Sequence, residues 1–173
     1  MGIERSTRRI GGERLAATAR SLLDASTLCA IATVGPRARA YVNTAYFAWS
    51  ADFELVWLSE PRATHSRNVR ANASAAIAVF DSRQTWGGSD RGIQLFGTAQ
   101  QAQTREAVDA KALYAARFPS YDDVDLDAYV PYVFRPRRLK LFDERELGAG
   151  TFVTARVAAG RLVWERTEIY RSN

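Results

Sequence analysis

Apolar positions change their spacing along this chain, and each change marks an element. From Gly12 to Ala25, the residues Leu15, Ala16, Ala19, Leu22 and Leu23 recur at helical spacing, which predicts an amphipathic helix with one buried stripe. Leu28 to Val34 is a short apolar run ended by Gly35-Pro36-Arg37, so a strand and a turn are expected, then a second strand of a hairpin. That second strand spans Ala40 to Ala48, and Phe53 to Leu58 adds another after the Ser50-Ala51-Asp52 break. Ser59-Glu60-Pro61 ends it, and ATHSRNVRAN reads as a short helix.

Ala75 to Asp81 is apolar throughout. Arg91 to Ala99 alternates Ile93 and Leu95 against Gln94 and Phe96, after the turn residues Gly87-Gly88-Ser89-Asp90, so two further strands are expected to pair antiparallel. Ala107, Ala110, Tyr114 and Phe118 share a helical face over Gln103 to Phe118, with Pro119 as a stop signal. From Tyr129 to Tyr170, aromatic and β-branched residues alternate around Gly148-Ala149-Gly150 and Gly160, which implies at least three more strands. Short strands with few helices describe a mostly β protein with peripheral helices, a closed or split β-barrel, better than a parallel α/β sheet. No repeat or flexible linker interrupts the 173 residues, so a single domain over 1–173 is expected.

Composition narrows the function classes. The net charge is +5, and Lys111 and Lys140 are the only lysines, so the basic character is arginine. Guanidinium forks suit phosphate and carboxylate, but these arginines scatter among strands and turns and form no basic block, which argues against a nucleic-acid partner. Cys29 is the sole cysteine and lies within LCAIATV, so it reads as a core residue; no disulfide framework or thiolate metal cluster is expected. The N-terminus has no apolar signal segment, and no stretch approaches the roughly 20 apolar residues of a membrane span, so a cytoplasmic protein without a membrane partner is expected. Asp122-Asp123-Val124-Asp125-Leu126-Asp127 lacks the glycine and distal glutamate of a calcium loop and reads as a solvated connection, so no metal site is expected.

His65 is the only histidine, and a triad would need Ser59 or Ser66 as nucleophile with a distant carboxylate. The chain has no G-x-S-x-G elbow, no Walker A loop, no G-x-G-x-x-G fingerprint and no paired-histidine spacing, so no catalytic residue is named. What remains is Ser59 followed by Thr64, His65, Ser66, Arg67 and Asn68, where a strand feeds a helix. Backbone N–H groups and the helix dipole favour an anion there, while the competing reading is a capped surface helix with Thr64 and Ser66 as caps.

The strings AYVNTAYFAW, VWLSEPRATHSRNVRANASAAIAVFDS and DRGIQLFGTAQ, in that order over about residues 28–101, resemble the pyridoxamine 5'-phosphate oxidase-like superfamily. The resemblance implies an FMN-binding split barrel and a flavin oxidoreductase acting on a small molecule. It implies that backbone groups near Val42, Asn43 and Thr44 meet the flavin ring, and that Ser59, His65, Ser66 and Arg67 hold its phosphate. It also implies a homodimer with the flavin between subunits, approached by Trp86 and Gln94 of the partner chain. An apolar patch containing Trp57 and Trp86 would be covered by that second copy. Members that oxidise pyridoxamine 5'-phosphate carry R-x-V-L-L-K, an arginine-lysine pair and R-L-H where this chain has AYVNTA, Thr64-His65 and Arg138-Leu139-Lys140, so another substrate is expected. The same resemblance admits a deazaflavin in place of FMN, or a flavin- or haem-binding protein without turnover in which His65 is the only imidazole for iron.

Overall fold

The structure is a computed structural model that describes residues 2–120 and 128–171. The Asp122 to Asp127 stretch therefore lies outside the described residues. The chain divides into two compact units, neither continuous in sequence: Met1–Ser26, Ala78–Phe96 and Arg137–Asn173 form one, and Thr27–Ile77 with Gly97–Pro136 form the other.

In the first unit, strand β1 (Gly2–Ser6) pairs antiparallel with β10 (Arg161–Arg171), joining Gly2 to Arg171 and Ser6 to Thr167. Strand β10 pairs with β9 (Thr151–Ala158) through a register shift between Trp164 and Arg166, and β9 pairs with the second half of β8 (Val130–Asp143). Helix α1 (Gly12–Asp24) packs on β10 and buries Leu15, Thr18, Ala19, Leu22 and Leu23. That is the stripe its periodicity predicts, except that Thr18 replaces Ala16; its hydroxyl donates to the Arg14 carbonyl, so the helix satisfies it internally. Each buried leucine contributes about 1.5–3 kcal/mol of apolar burial.

In the second unit, β2 (Leu28–Val34) pairs antiparallel with β3 (Ala40–Tyr46), with Leu28 opposite Tyr46, Ala30 opposite Thr44 and Ala32 opposite Val42. Strand β3 is the end of its hydrogen-bonded order. Strand β4 (Ala48–Trp49) pairs with β5 (Leu55–Ser59), and β5 pairs with the first half of β8, Trp57 opposite Tyr132. Helix α3 (Thr104–Arg117) lays Ala110 and Tyr114 on Ala48, Val56 and Val133. The Trp57 and Tyr132 rings stack with centroids 5.5 Å apart, and Trp57 has no exposed surface. The expectation that Trp57 belongs to an exposed patch is therefore corrected: LVWLS carries buried residues in succession because β5 is covered on both sides.

Strands β6 (Ser74–Phe80) and β7 (Arg91–Gln101) are neighbours in the strand order, as expected. The two glycines of R-G-x-Q-x-x-G have separate steric reasons. The Phe142 ring lies against Gly92, and the Arg135 backbone lies against Gly97 so closely that a Cβ there would overlap the Arg135 carbonyl and meet Pro136 Cα at 2.8 Å. Helices α2 (Thr64–Ala71) and α4 (Glu144–Leu147) are the remaining α-helices among the described residues, and the hydrophobic pattern announces neither β1 nor α4.

Candidate functional site

Strand β5 delivers Ser59 into the interior, and after Glu60 to Ala63 the chain turns into α2. Three buried polar contacts fasten that helix. His65 Nε2 lies 2.6 Å from Ser59 Oγ, Ser66 Oγ donates to Ser59 Oγ at 3.1 Å, and Asn68 Nδ2 donates to Thr33 Oγ1 of β2 at 3.1 Å. Ser59 and Ser66 are buried and bonded to one another. Burial holds the His65 pKa below the ordinary imidazole value, which favours the neutral ring. Two proton arrangements satisfy the chain: Ser59 donates to Nε2, or Nε2 donates to Ser59, whose hydroxyl then turns to the Glu60 carbonyl at 3.4 Å.

This Ser59–His65 contact has the length of a nucleophile–base pair, yet it lacks the third member. Among the described residues, no carboxylate hydrogen-bonds His65, and Ser59 is turned inward. The contact is a latch between strand and helix.

The outward side of the same helix is cationic. Arg67 is exposed, and its guanidinium donates to the Arg62 carbonyl at 2.9 Å and to Thr64 Oγ1 at 3.4 Å. Arg70 donates to the Pro61 carbonyl at 2.7 Å and to the Tyr132 hydroxyl at 3.3 Å. The N-cap is Ala63, with no side-chain cap, so the capping role considered for Thr64 and Ser66 is not what these residues do. The leading N–H groups of α2 are left without a side-chain acceptor, beside two guanidiniums.

Strand β3 presents the other expected residues. Val42 and Thr44 are exposed on one side, and Val42 retains 71% of its surface. Asn43 points to the opposite side, where its Oδ1 is buried without a hydrogen-bond partner. Trp86 and Gln94 belong to the first unit: Trp86 is fully exposed at the tip of the loop before β7, and Gln94 is exposed on β7. The structure thus joins Ser59, His65 and Ser66 by hydrogen bonds and puts Arg67 on the same helix. Arg62, Arg70 and Thr33 are parts that sequence reasoning missed. Arg67 and Arg70 at i, i+3 were a readable signal for a basic helix face; Thr33 gave none.

A family model of pyridoxamine 5'-phosphate oxidase matches residues 15–147. The chain belongs to the pyridoxamine 5'-phosphate oxidase family. The match extends well beyond residues 28–101 and takes in α1 from Leu15 onward, α3 and α4. No curated protein matches the chain. Among solved structures it is similar to a haem-binding protein from Mycobacterium smegmatis, at 17% identity and TM-score 0.66, covering 92% of this chain and 60% of that one. The chain thus spans 60% of the length of that relative. It is similar to HutZ, the haem storage protein of Vibrio cholerae, at 17% identity and TM-score 0.62, covering 72% of this chain and 92% of that one. A structure described as an F420 reductase matches at 24% identity and TM-score 0.53, covering 69% and 94% respectively. These likenesses identify the fold as the split barrel of the pyridoxamine 5'-phosphate oxidase family. No helix among the described residues is long and apolar enough to cross a membrane.

Proposed function

We propose that this member of the family is an FMN-dependent oxidoreductase that works as a homodimer on a small molecule other than pyridoxamine 5'-phosphate. The observation that carries the reading is the uncapped N-terminus of α2 with Arg67 beside it: the helix start lacks a side-chain acceptor, and a phosphate supplies one. In this reading Arg67, the Thr64 hydroxyl and the first N–H groups of α2 hold the phosphate. Ser59, His65 and Ser66 act from beneath, fixing the helix by their buried bonds, in place of the direct phosphate contact that the resemblance implies.

The flavin ring suits the exposed face of β2 and β3, where Ala30 and Ala32 leave a flat floor between Val42, Thr44 and Tyr46. As the terminal strand, β3 keeps one row of backbone N–H and C=O groups unpaired, available to the polar edge of the ring near Val42, Asn43 and Thr44. Bound FMN supplies hydride or electron transfer, and the protein supplies orientation and water exclusion. A second copy covers the exposed apolar side chains of this face, Leu28, Val42 and Tyr46, and brings Trp86 and Gln94 to the ring. Haem ligation through His65 Nε2 would require breaking its bond to Ser59, which weighs against a haem role.

The test is a titration with FMN and riboflavin, followed by fluorescence quenching. Arg67→Ala is expected to weaken FMN by about 1.5–3 kcal/mol, roughly 10- to 150-fold, and to spare riboflavin. Equal losses for the two ligands refute a phosphate-reading Arg67. The absorbance spectrum of the purified protein separates flavin from deazaflavin and haem, and pyridoxal 5'-phosphate formation at a robust rate would overturn the substrate reading.

A further inference from the structure

The first unit holds a cavity whose lining shares no residue with the proposed flavin site. Its inner chamber, about 140 Å³, is walled by Leu22 and Ala25 at the end of α1, by Phe80 at the end of β6, by Gln84, Ser89 and Arg145, and by the charged side chains of Asp81 and Arg91. An outer chamber of about 210 Å³ shares Asp81, Gln84, Ser89 and Arg145 and is otherwise lined by Arg83, Thr85 and Gly88 of the loop that carries Trp86.

The loop is a preformed roof. The Gln84 amide clasps the Arg91 backbone in both directions, donating to the carbonyl at 2.8 Å and accepting from the N–H at 2.6 Å. Asp90 and Glu144 fasten the other side, Glu144 N–H to the Asp90 carbonyl at 3.1 Å and Asp90 N–H to the Glu144 carboxylate at 3.3 Å.

The charges around the chamber are paired, with one exception. Asp81 holds Arg83 with two contacts of 3.0 Å, and Arg91 pairs with buried Asp143 at 2.8 Å. Glu144 is occupied by the Asp90 and Gly150 N–H groups. Among the described residues, no hydrogen bond or ion pair engages the Arg145 guanidinium. The cavity therefore has apolar contacts with a half-exposed phenyl ring, a serine hydroxyl, the Asp81 carboxylate and Arg91 guanidinium each already neutralised by a partner, and one uncompensated guanidinium, that of Arg145, whose planar fork matches a carboxylate.

We propose that this cavity binds a small aromatic carboxylate, its ring against Leu22, Ala25 and Phe80 and its carboxylate on Arg145 and Ser89. Benzoate, benzamide and acetate are the probes, titrated against the full chain by ligand-observed NMR. Benzoate is expected to bind about tenfold more tightly than benzamide, which lacks the charge, and than acetate, which lacks the ring. Arg145→Ala is expected to abolish the preference for benzoate over benzamide, whereas Arg161→Ala, an exposed cation outside the cavity, leaves it unchanged. Equal affinity for benzoate and benzamide in the native chain, an equal loss in Arg161→Ala, or no saturable benzoate binding below about 10 mM would each overturn the proposal. The benzoate and benzamide comparison in the native chain needs no variant, so it stands even if Arg145→Ala misfolds.

Discussion

Replacing Asp143 by alanine removes two supports at once. Its carboxylate has no exposed surface, and one oxygen accepts Arg91 Nε at 2.8 Å while the other accepts the N–H groups of Arg145 and Glu146 as the N-cap of α4. Breaking a buried pair from one side costs about 3–5 kcal/mol, because the surviving charge stays desolvated. Arg91 keeps 25% of its side-chain surface and a 3.1 Å bond to Ser21, which puts its share near the bottom of that range. Loss of the cap adds about 1 kcal/mol. Asp143→Ala is thus expected to destabilise by about 4 kcal/mol, and Asp143→Asn, which keeps an oxygen for the cap, by less, about 1.5–2 kcal/mol. Urea unfolding of the native chain, both single variants at 91 and 143, and the double alanine variant provides the cycle, with an expected coupling of about 1.5–3 kcal/mol. A cost below about 1 kcal/mol for Asp143→Ala, or single-variant effects that simply add, would refute the assignment of this ion pair as a major support of the first unit.

Gly97→Ala is expected to cost at least about 1–3 kcal/mol in urea unfolding, since a Cβ must displace the Arg135 backbone; a neutral result would show that β7 can shift freely. Burial lowers the folded-state pKa of His65, so its neutral form contributes stability in full above about pH 6.5, lost as pH falls from there through the folded value. Unfolding curves between pH 7.5 and 5 should show that slope, and His65→Gln should flatten it; an unchanged slope would place the titration elsewhere. Val42→Glu puts a charge on the exposed β2–β3 face and, if the proposed dimer forms there, is expected to convert it to monomer in light scattering; a native chain that is monomeric would overturn the proposed dimer, and an unaltered dimer would move the interface off this face.

Most strands and the long helices were legible because their apolar spacing is strong. Leu28–Val34 emerges with the boundaries that its composition predicts, and the α1 stripe differs from expectation at one position. Strand β1 was not legible: GIERS has no buried alternation, and it exists because the backbone of β10 pairs with it. Trp57 was misplaced because a continuous apolar run does not say whether both faces are covered. At the site, the strand-to-helix position and the serine-histidine-arginine cluster could be read along the chain. How the helix is fastened to the rest of the unit could not, since the partners of Asn68 and Arg70, Thr33 and Tyr132, lie far away in sequence.

The pairing of Gly2–Ser6 with Arg161–Arg171 sets the order of events during synthesis. As the chain leaves the ribosome amino end first, β1 waits unpaired while the intervening residues are made, and α1 waits for the β10 surface that it packs on. Every residue of the second unit, Thr27–Ile77 and Gly97–Pro136, has by then emerged. Closure of so long a loop is slow, and an amphipathic helix left open in the meantime is a target for chaperones and for aggregation. Cotranslational folding should therefore show the second unit protected from protease while α1 is still cleavable.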